Sequence, residues 1–188
     1  MSNLNIICKL TDIDIGENYN ELVEPKVRLG ARGIIRRNDG KIAIFNEGNK
    51  NEYKLPGGGI EGDETPVSAF RREALEETGC LINVVDNIGI TEEYKSKQNF
   101  KQISHVFIGD VVEDRGYLNL TDIEVSAGGK LLWETPEKAL DLINSCYDKI
   151  NADEFSVYIT KFVVLRDRKI LEYYINNYLN KNTMKLKK

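Results

Sequence analysis

Three glutamates lie close together in one short stretch of the sequence: Glu73, Glu76 and Glu77. At about 100° per residue they share one arc of an α-helix, where like charges one turn apart lower helix stability. A bound cation would relieve that repulsion, and oxygen ligands of high charge suit Mg²⁺ or Mn²⁺ better than zinc. The simpler interpretation is a solvated helix face on which neighbouring arginines pair with the glutamates.

The residues around the glutamates predict a loop followed by a helix. Three glycines at 57–59 precede the cluster, and we expect no regular structure there, so that the backbone is free to approach a ligand. Thr65 followed by Pro66 is a helix start signal, and Gly79 is a stop signal. The spacing therefore predicts a helix of roughly three to four turns that carries the glutamates.

Residues 57–80 resemble the Nudix box: glycine, five residues, glutamate, seven residues, then Arg-Glu-aliphatic-x-Glu-Glu-x-Gly-aliphatic. All seven fixed positions are present at that spacing, namely Gly58, Glu64, Arg72, Glu73, Glu76, Glu77 and Gly79. With each position at about 7% of residues, a chance match in this chain is on the order of one in a million. Ala74 and Cys80 depart from the larger aliphatics of the pattern, which affects packing rather than chemistry.

The resemblance implies an α+β fold, an α/β/α sandwich in which a mixed β-sheet lies between helices and the box forms a loop-helix-loop. The order of predicted elements agrees with it, since strands come first, one helix lies between strands, and two helices end the chain. We predict a single domain over residues 1–188, with a long loop at 113–129 and a frayed basic tail at 181–188. The predicted strands are 4–10, 27–37, 41–46, 53–55, 81–85, 89–94, 102–112 and 130–133, and the later helices run from 135 to 146 and from 153 to 180.

The resemblance also implies metal ligands. Glu73 and Glu77, one helical turn apart, would bind Mg²⁺ (or Mn²⁺) directly. The backbone carbonyl of Gly57 would be a further ligand, and Glu76 would bind a second ion or a shared water.

Catalytic roles are open among several residues. Arg72 and Glu64 would hold the carboxylates in register, although each could be a plain surface ion pair. The general base would come from the box, as Glu76, or from the later loop, as Glu124. The histidine, His105, lies in the middle of a predicted strand and is expected to be a packed or surface residue.

Substrate phosphate is expected to contact two kinds of residue. Gly58 and Gly59 would let the backbone approach it closely. Arg28 and Arg32, on the strand before the predicted hairpin, could bind phosphate oxygens, and the alternative is that they are solvent-facing strand residues.

Composition sets limits on the function. The chain has 188 residues, 41% hydrophobic and 30% charged, which is typical of one soluble globular domain. No apolar run approaches the roughly 20 residues of a membrane helix, and we expect no membrane association. The net charge of −4 argues against nucleic-acid binding, and three widely spaced cysteines indicate reduced thiols in the cytoplasm.

Three functional hypotheses remain. The first is a Mg²⁺-dependent Nudix pyrophosphohydrolase that cleaves, by metal-activated water, a nucleoside triphosphate or a nucleoside diphosphate linked to another group. The second is a catalytically silent Nudix module that binds a nucleotide as a sensor or regulator. The third is a structural metal-binding domain, which the glycines and the box spacing disfavour. The sequence leaves open which nucleotide is bound and the oligomeric state, a homodimer included.

Overall fold

A mixed β-sheet forms the centre of the molecule, which the computed structural model describes over residues 4–48, 52–147 and 155–180. The strands are β1 (Ile6–Thr11), β2 (Lys26–Arg36), β3 (Ile42–Glu47), β4 (Glu52–Lys54), β5 (Gly57–Gly59), β6 (Cys80–Lys95), β7 (Phe100–Asp114) and β8 (Gly129–Glu134), and the helices are α1 (Pro66–Thr78), α2 (Asp122–Ser126), α3 (Pro136–Tyr147) and α4 (Phe155–Tyr174). The strand order is β1-β6-β7-β2-β3-β4, with β5 paired to β2 and β8 paired to β3. Within these ranges, no helix combines the length and the apolar character needed to cross a membrane.

The sheet lies between α1 on one face and α3 and α4 on the other. Strand β2 shows why, because its side chains alternate between two apolar clusters. Ala31 and Ile35 belong to the cluster that contains Phe70 of α1, whereas Ile34 belongs to the cluster that contains Tyr174 of α4. The α+β sandwich with a mixed sheet, expected from the sequence, is therefore confirmed.

Regular structure is more extensive than expected. Gly57–Gly59 were predicted to be irregular but form β5, because antiparallel pairing with Gly30–Arg32 satisfies their backbone groups despite the low strand propensity of glycine. The separate strands predicted at 81–85 and 89–94 are one strand, β6, in which bulges absorb the break. The loop predicted at 113–129 contains the short helix α2.

The last helix also differs from expectation. It was predicted to run from 153 to 180, whereas α4 covers Phe155–Tyr174 and the chain continues as a wider helical turn at Ile175–Leu179. The predicted start at 153 and the predicted frayed tail at 181–188 lie outside the described residues.

A buried group of charges fastens α4 to strand β6 of the sheet. Arg166 contacts Asp167 (Nε to Oδ1, 2.8 Å) and Glu93 (Nη1 to Oε2, 3.3 Å), and Lys95 lies 3.2 Å from Glu93 Oε1. Mutual pairing offsets the cost of burying these charges. Asp167 Oδ2 also accepts the N–H of Leu55 at 2.9 Å, so α4 fixes the point from which the chain enters β5.

Candidate active site

Helix α1 begins and ends where the local sequence signals place it. The Oγ1 atom of Thr65 accepts the N–H of Ser68 at 3.1 Å, and Pro66 occupies the first helical position. At the other end Gly79 has a left-handed φ of 68°, and its N–H donates to Leu75 O at 3.0 Å. These caps fix which turns of the helix carry the glutamates.

Packing of α1 on the sheet sets how deeply each glutamate is buried. Phe70 is fully buried and stacks on Phe107 of β7, with ring centroids 5.5 Å apart. The side chain of Glu77 is then 3% exposed, that of Glu73 12% and that of Glu76 32%. One helix therefore carries a buried, a nearly buried and a partly exposed carboxylate.

Strand β5 turns part of its backbone towards α1. The carbonyl of Pro56 and the N–H of Ile60 both hydrogen bond to β2. Since backbone groups of successive strand residues point to opposite sides, Gly57 and Gly59 direct theirs away from β2. The N–H of Gly57 donates to Glu77 Oε2 at 2.8 Å, so the Gly57 carbonyl faces the same side as that carboxylate.

The absence of a side chain at Gly58 makes room for a carboxylate. A Cβ atom at this position would lie 2.2 Å from Oε1 of Glu73 and 2.6 Å from its Cδ. Such distances are far inside van der Waals contact. Glycine is therefore required for the Glu73 carboxylate to rest against β5.

Arg72 joins the loop before α1 to the carboxylates on it. Its Nε and Nη2 atoms donate to the two oxygens of Glu64, at 2.9 and 3.1 Å, and Nη2 also donates to Gly59 O at 2.9 Å. Its Nη1 atom donates to Glu73 Oε1 at 2.9 Å and to Glu76 Oε2 at 3.0 Å. Arg72 thus lies between Glu64 and the α1 carboxylates, and the supporting role of Arg72 and Glu64 stays a prediction.

Burial shifts the pKa values of two of the carboxylates, Glu73 and Glu77. Desolvation raises the pKa of Glu77 to about 8, although Lys54 and the Gly57 N–H act in the opposite direction. Desolvation also raises the pKa of Glu73, against the effect of Arg72. Burial therefore disfavours the ionised forms of both groups even though Lys54 and Arg72 lie beside them.

Glu124 reaches the same region from outside the box. It lies on α2, where its Oε2 atom accepts the N–H and the Oγ1–H of Thr121, both at 2.9 Å. Thr121 and Glu124 thus form a capping box that starts the helix. The structure brings Glu124 to the box glutamates, although 47 positions separate it from Glu77 (124 minus 77).

These groups surround one cleft of about 270 Å³. Its lining residues are Arg28, Lys54, Gly57, Gly58, Gly59, Glu61, Arg72, Glu73, Glu76, Glu77, Thr121 and Glu124. Lys54, Glu61 and Thr121 were not singled out from the sequence. In the sequence, only its position just before the glycine segment could have indicated Lys54 as a site residue. Its proximity to Glu77 depends on how β4 pairs with β3.

The donor chemistry of the cleft fits a hard divalent cation. Carboxylate oxygens and a backbone carbonyl are ligands that Mg²⁺ and Mn²⁺ prefer, and two of the carboxylates are desolvated. Across residues 4–48, 52–147 and 155–180, however, no three Asp, Glu, His or Cys side chains form a ready-made metal site. Arg72 and Lys54 contact the carboxylates instead, so a bound ion would share Glu73 and Glu77 with these side chains or displace them.

The structure does not bring every predicted residue to the cleft. Arg28 is exposed and lines it, whereas Arg32 is 5% exposed and lies 3.6 Å from Asp167, on the face of β2 that α4 covers. The burial of Arg32 leaves its predicted contact with phosphate without geometric support. His105 is half-buried against Phe107, as the sequence indicated for a packed strand residue, and burial lowers its pKa.

Known proteins resemble this chain in sequence and in fold. Residues 26–153 match the family profile described as NUDIX domain. Over 66 residues the chain is 33% identical to a MutT-like protein of Streptomyces ambofaciens, a match that covers 35% of this chain and 43% of that protein. Over 58 residues it is 38% identical to an RNA pyrophosphohydrolase of Xanthomonas campestris pv. campestris (strain B100), covering 31% of this chain and 28% of that protein. These matches span less than half the length of either relative.

Among solved structures, a NUDIX hydrolase from Nitrosomonas europaea has a similar fold. Its TM-score is 0.53 at 20% sequence identity, and the superposition covers 78% of this chain and 95% of that chain. At this identity the likeness concerns the arrangement of strands and helices.

Proposed function

The chain belongs to the NUDIX family, and from that premise we propose that it is a hydrolase that uses Mg²⁺ or Mn²⁺ to cleave a diphosphate bond. The proposed substrate is a nucleoside triphosphate or a nucleoside diphosphate linked to another group. The observation that carries the proposal is the convergence of five glutamates on the cleft beside β5: three from α1, one from α2, and Glu61 from the loop before α1. The name of one relative, RNA pyrophosphohydrolase, agrees with a pyrophosphate bond as the target.

The chain's own residues supply the charge and the orientation at this cleft. Glu73, Glu77 and the Gly57 carbonyl would hold the ion, with Glu76 beside them at the more exposed end. When bound, such an ion would offset the charge of the pyrophosphate and lower the pKa of water enough for attack. Arg28, exposed at the cleft, would bind a phosphate oxygen.

The general base is proposed to be Glu124, with Glu76 as the alternative. We expect Glu124→Gln to lower kcat about a hundredfold or more, since general-base catalysis typically contributes 10²–10⁴. Glutamine keeps an oxygen that can accept the Thr121 N–H, so α2 should still form. The check is kcat at saturating substrate together with the melting temperature.

A matched control for this variant lies on the same helix. Asp122→Asn removes a charge from an exposed residue of α2 that does not line the cleft, and it should leave kcat unchanged. A near-normal rate for Glu124→Gln would assign the base to Glu76, and Glu76→Gln is the variant to measure next.

The role of Gly58 gives a second prediction. Gly58→Ala should lower activity more than tenfold with little loss of stability, because the new methyl displaces the end of the Glu73 side chain. Gly48→Ala is the control, since its Cβ would find only ordinary contacts, the nearest at 3.4 Å. Initial rates and melting temperatures of both variants provide the test, and full activity of Gly58→Ala would contradict the placement of Glu73.

A panel of nucleotides tests the proposed activity itself. With Mg²⁺ present, the protein is expected to hydrolyse at least one of three kinds of compound: nucleoside triphosphates, nucleoside diphosphate sugars and RNA with a 5′-triphosphate. Nucleotide binding without turnover of any compound would instead support the silent binding module.

A further inference from the structure

Among the described residues, Lys54 is one of three cationic residues that line the cleft, the others being Arg28 and Arg72. Lys54, the last residue of β4, places its Nζ atom 2.6 Å from Glu47 Oε1 and 4.0 Å from Glu77 Oε1. The same atom lies 5.1 Å from the centroid of the Phe45 ring, and the side chain is 18% exposed. A positive charge therefore already lies beside Glu77, the most deeply buried of the three glutamates on α1.

The position of this ammonium group is fixed by the sheet. Phe45 of β3 is the register partner of Lys54, and its ring is fully buried, so it offers a rigid aromatic face to the cation. Glu47, two residues further along β3, is 6% exposed and holds the ammonium from the same strand. Glu47 and the Phe45 ring therefore hold the ammonium group on the side of the cleft where Glu77 lies.

A fixed cation next to Glu77 has a consequence for metal binding. A divalent ion that takes Glu77 as a ligand must come close to the ammonium or displace it, and like charges repel. We propose that Lys54 is a built-in counter-ion of the cleft, a positioning residue that holds Glu77 in place and weakens the binding of a divalent cation. The proposal rests on the proposed function, because it concerns the same metal ligands.

The test is the affinity for Mn²⁺, measured by isothermal titration calorimetry on the full chain without nucleotide. Lys54→Met keeps a linear side chain without the charge, and it should bind Mn²⁺ about tenfold more tightly, the effect of removing one nearby positive charge. Its melting temperature without metal should fall, because Glu77 and Glu47 lose their contacts with the ammonium group. Lys54→Arg keeps the charge and should retain the weaker affinity, and Lys54→Gln is a second neutral variant that should also bind Mn²⁺ more tightly.

The control is Lys26→Met, which changes the net charge equally at an exposed residue outside the cleft and should leave the affinity unchanged. An Mn²⁺ affinity that stays equal or weakens in both neutral Lys54 variants would overturn the role of Lys54. If Lys54 had only a structural role, replacing it would lower stability without tightening metal binding. Absence of Mn²⁺ binding in the unaltered protein and in every variant would overturn the metal-dependent function as well. The two failures are therefore distinguishable.

Discussion

Replacing Glu73 by glutamine is expected to lower kcat about a thousandfold or more and to leave the metal-free protein equally stable or more stable. The activity is lost because a bound metal contributes several kcal/mol, and each 1.36 kcal/mol is a factor of ten in rate. The metal-free variant should keep its stability because the Glu73 carboxylate is desolvated and lies near other glutamates. Glutamine removes that charge and keeps the shape of the side chain. Steady-state rates with Mg²⁺ and thermal unfolding in excess chelator measure the two effects.

A surface glutamate provides the comparison for this variant. Glu172→Gln on α4 removes the partner of Arg168, a half-exposed i,i+4 pair, and should cost at most about 1 kcal/mol of unfolding free energy with no effect on kcat. If Glu73→Gln behaved in the same way, with full activity, Glu73 would be an ordinary helix-surface residue and the metal assignment would fail at its centre.

Replacing Arg72 by glutamine should lower activity and stability together, which separates it from the Glu73 variant. Arg72 donates hydrogen bonds to Glu64 and to the Gly59 carbonyl. It also donates to Glu73 and Glu76, so the Glu73 carboxylate loses its arginine partner in this variant. We expect kcat/KM to fall about 10–100-fold, as for other groups that orient metal ligands. The unfolding free energy should fall by about 1.5–3 kcal/mol, the contribution of hydrogen bonds to charged groups.

Arg72→Lys sharpens this prediction. Lysine keeps the charge but cannot form the two-pronged contact with Glu64, so it should restore little of the lost activity. Recovery of the full rate by lysine would show that charge alone is needed at this position. The proposal that the hydrogen bonds of Arg72 connect the loop to α1 would then be wrong.

Helix α1 could be predicted almost residue by residue, because its signals are local. Thr65, Pro66 and Gly79 act on the backbone within a few positions of themselves, and the glutamate spacing follows from the helical period. The sequence could not show that Glu77 becomes the most buried of the three, since that depends on which arc of α1 packs against Phe107.

Strand β5 was missed because its cause is distant in sequence. Glycines alone favour no strand, and pairing with β2, which begins 31 positions earlier (57 minus 26), makes 57–59 regular. The alternation of that pairing then aims the Gly57 backbone at Glu77. A feature that local propensity opposes is thus imposed by the register of the sheet.

The sequence also could not show which residues reach the cleft, because that depends on contacts between distant parts of the chain. Arg28 and Arg32 were equal candidates for phosphate contact, but the structure puts one at the cleft and the other beneath α4. Lys54 carried no specific signal, yet β4 brings it to Glu77. Spacing within one helix can be read from sequence, whereas contacts between strands and helices require the fold.

The most direct test of a metal-dependent diphosphate hydrolase is to identify the products with and without metal. The reaction is run in ¹⁸O-labelled water with a nucleotide substrate and Mg²⁺, then with excess chelator, then with Mg²⁺ restored. We predict cleavage at the diphosphate bond, with label in one phosphate product, loss of turnover in chelator and recovery on adding Mg²⁺. Undiminished turnover in excess chelator, or cleavage at a bond other than the diphosphate, would contradict this account.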